Sequence, residues 1–312
     1  MNYFSTFSGI GGFELGINQA YGLPDGGTEF QQQDCAQGDM PGTESQKTRR
    51  GSDLPVCVGY SEIDRYAIAT YAHHFPDHKN YGDITAIDAD KLPDFSLLVG
   101  GFPCQAFSVA GKRRGFLDET RGTLFFDLAR ILRAKRPKYF VFENVKGLLS
   151  HDRGRTFDTI ITTLDELRYD LQWQVLNSKD WGVPQNRERI FIVGHLRDEP
   201  RPEVFPIFGG KREDNQADKV STAIRYPLKF ANRNQRNIEG DYAYTVDSMN
   251  TGGVMVGTTI RRLTPTEAER LQGFPDAWTL GSDTQRYKQC GNAVTVNVVQ
   301  AVMQRLSNQP ND

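Results

Sequence analysis

Short apolar runs alternate with longer stretches of helical periodicity through the first 196 residues. Apolar and β-branched residues cluster in runs of five to eight, a length typical of strands in a buried sheet. The strand-like runs are YFSTF (3–7), VCVGYSE (56–62), YGDIT (81–85), FSLLVG (95–100), KYFVFEN (138–144), LQWQVLNS (171–178) and RIFIVGHL (189–196). They predict the strands of one sheet.

Between these runs, apolar residues recur every three or four positions, as on one face of a helix. The helical stretches are SGIGGFELGINQA (8–20), DRYAIATYAHHF (64–75), TLFFDLARILRA (123–134) and TFDTIITTLDELRY (156–169). Strands that alternate with helices of this length favour a doubly wound α/β sheet with helices on both faces.

Two regions interrupt the alternation. Residues 22–56 are polar and rich in glycine, and they predict a long surface insertion. Residues 197–261 mix basic and polar residues with short apolar pieces, and they predict a separate small module. Helical spacing then returns at 264–274 and 292–306. The expected domains are therefore a discontinuous large one, 1–196 with 262–312, and a small one, 197–261.

Charge and composition narrow the class of protein. The chain of 312 residues has a formal net charge of −2, but 14 of its 39 acids and only 6 of its 37 bases lie within residues 1–100. The remainder is therefore basic, which leaves room for a phosphate-binding face. There is no apolar run of membrane-spanning length and no secretory signal, so we expect a cytoplasmic protein.

The end of the first strand carries a candidate nucleotide site. Gly9, Gly11 and Gly12 join strand to helix, where glycine permits a tight turn and close approach of a ligand. The spacing is not that of a dinucleotide fingerprint. Glu62 ends the next strand and Asp83 lies near the end of the following one, so the two acids could bind ribose hydroxyls and an adenine amine. No Walker lysine is present, which disfavours triphosphate chemistry.

Cys104 follows a strand and Pro103 in GGFPCQAFS (100–108). This cysteine could be a buried small side chain, half of a disulfide, a metal ligand or a nucleophile. The four cysteines form no CxxC pair and have no histidine at zinc spacing, which disfavours the disulfide and the metal. Glu143 ends another strand, and Arg187 and Arg189 lie two residues apart, so groups that could support a thiolate are present.

Nine segments, in this order, resemble the motifs of the DNA (cytosine-5) methyltransferases, bacterial or phage type. They are FSGIGGF, SEID, GDIT, GGFPCQAFS, RGTLFFD, FENVKGLLSH, VPQNRERIFIVG, RRLTPTEAERLQGFP and YKQCGNAVTVNVV. The resemblance extends over nearly the whole predicted large domain. It implies a Rossmann-like sheet with residues 197–261 as a target-recognition domain.

The resemblance also implies the ligands: S-adenosylmethionine as cofactor, cytosine in a specific double-stranded DNA sequence as substrate, and no metal. It assigns the cofactor to a set of residues at the ends of the strands and near the C-terminus. The set is Phe7, Gly9, Gly11, Gly12, Glu62, Ile63, Asp83, Ile84, Pro103, Leu124 and Asn292.

The catalytic roles follow from the same resemblance. Cys104 would add to C6 of the base, and Glu143 would hydrogen-bond N3 and the exocyclic amine. Arg189 would hold O2, whereas Arg187 would support the site or a nearby phosphate. The carbonyl of Phe102 would accept a hydrogen bond from the amine and so favour cytosine over thymine.

DNA contacts are expected in two places. The segment after the nucleophile resembles the family's closing loop, with contacts from Gln105, Ser108, Lys112, Arg113, Arg114 and Arg121. The small domain offers Arg225, Lys229, Arg233 and Arg236, together with the Gly-rich segment 244–254. A duplex hides C6 in its stack, so the target base must flip out.

Two alternatives stay open at this point: a related enzyme that methylates tRNA, and a DNA-binding protein with an inactive site. The motifs do not specify the target sequence or distinguish a restriction-modification role from a phage or regulatory one. From the family we expect a monomer in a bacterial cell, with any cognate restriction endonuclease acting separately. His73, His74 and His78 are expected to be surface histidines.

Overall fold

A computed structural model describes residues 1–25, 54–103, 124–209, 223–225, 243–246, 252–256 and 259–307. Its centre is a six-stranded sheet. The strands are β1 (Asn2–Thr6), β2 (Val56–Ser61), β3 (Leu97–Gly101), β4 (Tyr139–Val145), β5 (Tyr169–Asn177) and β7 (Glu188–Leu196). Their order in the sheet is β2-β1-β3-β4-β7-β5. The first four are parallel, and β7 runs antiparallel to both β4 and β5.

Helices cover both faces of this sheet. They are α1 (Gly12–Tyr21), α2 (Arg65–His74), α3 (Leu124–Lys135), α4 (Arg155–Glu166), α5 (Pro265–Leu271), α6 (Asp283–Asn292) and α7 (Val296–Ser307). Apolar residues of α3 and α4 pack on one face, and those of α1 and α7 on the other. The predicted α/β architecture is confirmed.

The C-terminal segment folds back onto the first helix. A methyl group added at Gly16 would lie 2.6 Å from the side chain of Val299, so α1 and α7 approach each other closely. Helix α5 begins at a capping box, in which Thr264 and Glu267 each accept a hydrogen bond from the other's backbone amide. Helix α6 was not predicted, because its buried side consists of the polar Gln289 and a single cysteine, Cys290.

The described parts of the small module are short strands. Strands β8 (Ala223–Arg225), β10 (Gly252–Val256) and β11 (Thr259–Arg262) form an antiparallel sheet of order β8-β10-β11. Strand β9 (Ala243–Tyr244) instead pairs in parallel with β6 (Gln185–Asn186) of the large domain. A segment between β8 and β10 is thus paired with the strand that begins the arginine motif.

The chain that leads into the module lies against the large domain. Gln172 donates to the carbonyl of Pro202 and accepts from the amides of Val204 and Phe205. Gln174 both donates to and accepts from the backbone of Ile207 at 2.9 Å. The apolar side chains of 204, 205 and 207 are buried in the core cluster that contains α7.

Two of the three histidines expected at the surface have structural partners. The ring of His74 stacks on Trp278 at 3.6 Å and 6°, and its Nε2 lies 2.8 Å from that residue's carbonyl oxygen. Nδ1 of His78 lies 3.0 Å from the hydroxyl of Tyr71, and burial lowers the pKa of His78 to about 4. For these two residues the prediction was wrong, because the end of α2 packs against Trp278 and the chain after α2 folds back so that His78 stacks on Phe75 beside Tyr71. His73 is exposed, as predicted.

Glu14 is a buried acid in the first turn of α1. The hydroxyl of Tyr71 donates to its Oε1 at 3.0 Å, and its Oε2 has no hydrogen-bond partner among the described residues. Burial raises the pKa of Glu14 to about 7. The neutral carboxyl is therefore the form that this interior favours.

We expect this acid to make stability depend on pH. The pKa of Glu14 is about 7 in the folded chain and 4.5 as its reference value. A carboxyl whose pKa is raised in the folded chain contributes its full stabilisation below its pKa in the unfolded chain. This contribution is lost as pH rises through the pKa of the folded chain, and for Glu14 the loss is about 3 kcal/mol. Burial of His78 acts in the opposite direction over this pH range, so the contribution of Glu14 is measured as a difference between variants. Between pH 5 and pH 8, the free energy of unfolding of the wild-type chain should change by about 2 to 3 kcal/mol less favourably than that of Glu14→Gln in urea unfolding.

The exposed Glu166 provides the matched control. Glu166→Gln should keep the wild-type dependence of stability on pH. An equal loss between pH 5 and pH 8 in Glu14→Gln and wild type would contradict the assignment.

Candidate active site

The sheet brings the predicted residues to one edge. The carboxyl ends of β1, β2, β3 and β4 meet there because these strands are parallel. The amino end of β7 joins them because that strand is antiparallel. Strand order reverses between β1 and β3, which is where open α/β sheets form their ligand crevice.

The turn after β1 has an unusual backbone. Phe7 has φ 51° and Gly9 has φ 56°, both in the left-handed region, which an aromatic residue rarely adopts. A methyl group at Gly9 would meet nothing within 4 Å, so the turn leaves open space there. Left-handed backbone in a non-glycine residue occurs preferentially at functional sites.

Glu62 holds this turn in place. Its Oε2 accepts a hydrogen bond from the amide of Gly9 at 2.8 Å, and its Oε1 accepts from the amides of Ile63 and Asp64 at 2.8 Å. An ionised carboxylate has about four acceptor positions, so capacity for a further donor remains. The side chain of Ile63 is 69% exposed beside it. A hydrogen-bond acceptor next to an exposed apolar side chain fits a nucleoside.

Asp83 and Ile84 differ from the prediction in their local structure. They do not belong to a strand: Asp83 caps a short 3-10 turn, and its Oδ1 accepts from the amide of Thr85 at 2.9 Å. That hydrogen bond holds the pKa of Asp83 below its usual value. Asp83 is exposed, whereas the side chain of Ile84 is buried in the core, so only the backbone of Ile84 can face a ligand.

The remaining predicted cofactor residues surround the same turn. Pro103 is exposed after β3, Leu124 begins α3, and Asn292 is exposed at the end of α6. A methyl group at Gly12 would lie 2.8 Å from Cγ1 of Val294. The segment after Asn292 therefore packs on the Gly-rich turn. Gly11 is equally crowded, by the ring of Phe75.

Glu143 and Arg189 form a largely buried ion pair. Residue 189 lies opposite Val145 across β4 and β7, so its side chain is diagonal to that of Glu143 on the same face. Nε of Arg189 is 3.0 Å from Oε1 of Glu143, and the two side chains are 17% and 12% exposed. Burial raises the pKa of Glu143, although Arg189 and Arg187 act in the opposite direction.

The end of β3 fits around this pair. A methyl group at Gly101 would come within 3.0 Å of Oε2 of Glu143, so glycine leaves room for the carboxyl. Nδ2 of Asn144 donates to the carbonyl oxygen of Phe102 at 2.9 Å, and both side chains are buried. This bond fixes the peptide that precedes Pro103. One acceptor position of the Phe102 carbonyl remains for a ligand.

Arg187 has hydrogen-bond partners different from those of Arg189. Its guanidinium is 3% exposed and donates to the carbonyl oxygens of Val246, Gly291 and Ala293. The two arginines of this motif therefore have different surroundings. Arg189 pairs with Glu143, and Arg187 holds backbone segments together.

Many predicted residues lie outside the described part of the chain. They are Cys104, Gln105, Ser108, Lys112, Arg113, Arg114, Arg121, Lys229, Arg233 and Arg236, with most of the 22–56 insertion. Only the backbone of Arg225 is described, as the end of β8. Cys104 directly follows the described Pro103, at the edge that carries Glu143.

Three residues of this site were not singled out from the sequence: Asn144, Gln185 and Glu188. Gln185 is buried beside Arg187, and Glu188 pairs with Lys146 at 2.9 Å. Asn144 and Gln185 lie in the motifs FEN and QNRER, next to or near the residues that were singled out, and this proximity was the only sequence signal for them.

In the described ranges there is no cluster of three metal-ligating side chains. Among those ranges, no helix is long and apolar enough to cross a bilayer.

Comparison with known proteins assigns the family. The model of the C-5 cytosine-specific DNA methylase family matches residues 1–248 and 215–308. Type II methyltransferase M1.ScrFI of Lactococcus lactis subsp. cremoris is 43% identical over 79% of this chain and 70% of its own length. Type II methyltransferase M.NlaX of Neisseria lactamica is 36% identical over 96% of this chain and 94% of its own.

A solved structure agrees at the level of the fold. The Dnmt2 methyltransferase of S. pombe aligns with a TM-score of 0.66 over 98% of this chain and 97% of its own, at 17% identity. The matched motifs, the sheet edge that collects their residues and the two Type II relatives lead to one assignment. The chain belongs to the C-5 cytosine-specific DNA methylase family and is a DNA (cytosine-5) methyltransferase.

Proposed function

We propose that the chain transfers a methyl group from S-adenosylmethionine to C5 of a flipped-out cytosine in duplex DNA, through a covalent Cys104–C6 adduct. The observation that supports this most is the Glu143–Arg189 pair, buried at the edge where β3 leads into Cys104. A carboxyl with a raised pKa beside a fixed cation suits a base whose N3 gains charge as the thiolate adds.

The crevice after β1 is the proposed cofactor site. Gly9 provides open space, Glu62 provides carboxylate oxygens for ribose hydroxyls, and Ile63 provides an exposed apolar side chain for the purine. Asp83 is exposed close by for the adenine amine. When bound, S-adenosylmethionine supplies an electrophilic methyl group on a sulfonium sulfur. The chain's part is to orient it toward the edge that carries Cys104.

The proposed catalytic groups act on the base. The Cys104 thiolate adds to C6, and the π electrons of the C5–C6 double bond become available at C5. C5 then forms a bond to the methyl carbon as the bond from that carbon to sulfur breaks, which leaves a neutral thioether. Glu143 hydrogen-bonds N3 and the exocyclic amine, and Arg189 holds O2. Loss of the C5 proton to solvent water restores the ring double bond and expels the thiolate. Asn144 fixes the carbonyl of Phe102 by donating a hydrogen bond to it. That carbonyl accepts a hydrogen bond from the exocyclic amine of the base and so favours cytosine over thymine.

The proposal extends to the partners. Residues 197–261 serve as the target-recognition domain beside a catalytic domain formed by 1–196 and 262–312, and segment 108–122 closes over the flipped base. The names of the Type II relatives favour a modification enzyme of a restriction-modification system. We propose that it acts as a monomer in the cytoplasm of a bacterial cell, with any cognate endonuclease acting separately.

Trapping tests the covalent step. Duplex DNA with 5-fluorocytosine at the target position should form a stable adduct at Cys104, since fluorine at C5 cannot leave as a proton does. Peptide mass spectrometry would locate the adduct. Cys104→Ser should form no adduct and lose nearly all methyl transfer. Cys57→Ser is the control, because burial raises the pKa of the Cys57 thiol to about 12 and keeps it unreactive.

An adduct on another residue, or full activity in Cys104→Ser, would overturn the covalent mechanism. Normal DNA binding with no adduct in the wild-type chain would instead support a binding protein with an inactive site.

Glu143→Gln tests the role of the carboxyl. The amide keeps the shape of the side chain but cannot share a proton with N3, so kcat should fall by roughly 10²- to 10⁴-fold. DNA affinity, measured by fluorescence anisotropy, should change little. Glu188→Gln makes the same substitution at the same edge, on a half-exposed side chain paired with Lys146, and should retain most activity. Equal losses in the two variants would contradict the assigned role.

The substrate is tested directly. Tritium from methyl-labelled S-adenosylmethionine should enter duplex DNA and not tRNA. Bisulfite sequencing of DNA from cells that express the chain should then show one methylated sequence context. Incorporation into tRNA alone would reassign the substrate to RNA.

A further inference from the structure

Arg187 joins two segments that are distant in the sequence. Nη1 donates to the carbonyl oxygen of Val246 at 3.3 Å. Nη2 donates to those of Gly291 at 3.2 Å and Ala293 at 2.8 Å. With a side chain only 3% exposed, Arg187 makes these contacts in the interior. The planar guanidinium, with its five donors, can serve several carbonyls at once.

The three carbonyls and the nearby carboxyl of Glu143 compensate the charge of Arg187. Burial and the nearby charge of Arg189 lower the pKa of Arg187 to about 9. Its Nε has no hydrogen-bond partner in the part of the chain that the structure describes. A buried cation is costly unless its surroundings are fixed, so displacement of either segment removes part of its compensation.

One of the joined segments, 243–246, belongs to the proposed recognition module and lies between its strands β8 and β10 in the sequence. The amide of Val246 donates to Oε1 of Gln185 at 2.7 Å, and the amide of Ala243 donates to the carbonyl of Pro184 at 2.7 Å. Both backbone groups of Val246 are therefore held by side chains of the arginine motif, one by Gln185 and the other by Arg187. The segment 243–246 moves with that motif.

The other joined segment borders the proposed cofactor site. The carbonyls that accept from Arg187 belong to the residues on either side of Asn292. Val294 then contacts the Gly-rich turn at Gly12. A ligand that occupies the crevice after β1 restricts segment 291–294, and with it the position of the guanidinium.

We infer that Arg187 is a positioning residue that couples cofactor binding to DNA binding. The inference rests on the proposed function for the identity of the two ligands. A ligand that fixes one segment also fixes the shared guanidinium, so the second ligand loses less conformational entropy when it binds. The coupling must be reciprocal: each ligand tightens the other by the same factor.

Four dissociation constants test the coupling. S-adenosylhomocysteine and a duplex with the mapped target sequence are each titrated by calorimetry, in the absence and presence of the other. In the wild-type chain, S-adenosylhomocysteine should tighten duplex binding roughly 5- to 150-fold. In Arg187→Lys this ratio should fall close to one, because one ammonium cannot reach carbonyls of both segments as the guanidinium fork does.

Gln185→Leu is the matched variant. It removes the bonds of Gln185 to the amide of Val246 and to the carbonyl of Leu271 but leaves the three carbonyl contacts of Arg187. It should weaken duplex binding with and without S-adenosylhomocysteine to a similar extent and keep the ratio. A folded Arg187→Lys that retains the wild-type ratio would overturn the inference, as would independent binding in the wild-type chain. Failure of the wild-type chain to bind S-adenosylhomocysteine at all would instead contradict the proposed function.

Hydrogen exchange of the wild-type chain covers the case in which Arg187→Lys does not fold. S-adenosylhomocysteine without DNA should slow exchange of the Val246 amide. The amides of Val204 and Phe205 are the internal control, because Gln172 holds them and Arg187 does not. Unchanged exchange at Val246 with the ligand bound would refute the coupling.

Discussion

The pairing of β4 with an antiparallel β7 is the constraint on which the proposed site depends. A parallel β7 would carry Arg187 and Arg189 to the opposite edge of the sheet. The reversal instead places the beginning of β7 beside the end of β4, and the diagonal across this pair brings Arg189 to Glu143. Burial raises the pKa of Glu143 and so favours its neutral form, and the adjacent guanidinium of Arg189 orients its side chain. The chemistry thus depends on one choice of strand direction.

Alternate residues of the arginine motif, 185, 187 and 189, make the contacts at that edge of the sheet. Gln185, Arg187 and Arg189 lie two residues apart. Gln185 and Arg187 both hold Val246, Arg187 also holds the carbonyls of residues 291 and 293, and Arg189 pairs with Glu143. One short stretch of backbone therefore contacts the proposed recognition module, the border of the proposed cofactor site and the proposed catalytic carboxyl. Small displacements of any one part are opposed by buried hydrogen bonds, which are expensive to leave unmade.

The sequence predicts the regular parts of this structure well and its polar interior poorly. Apolar periodicity located the six strands of the main sheet and most helices, because burial of those side chains determines both. Helix α6 was not predicted because its buried side is polar. The burial of His74, His78 and Glu14 was not predicted because their partners, Trp278 and Tyr71, come close only in the folded chain. Motif order located Glu143 and Arg189, but only strand pairing shows that they touch.

The two glutamines beside the entry to the small module have a consequence for how such enzymes diversify. Gln172 and Gln174 bind peptide groups of residues 202–207, and those bonds are indifferent to which side chains the segment carries. The segment requires only apolar residues at its buried positions. Side chains of the small module that follow this segment can then change while the attachment persists. A catalytic domain that binds the attached module through backbone groups can acquire a new DNA sequence preference when the module changes, while its own buried residues stay the same.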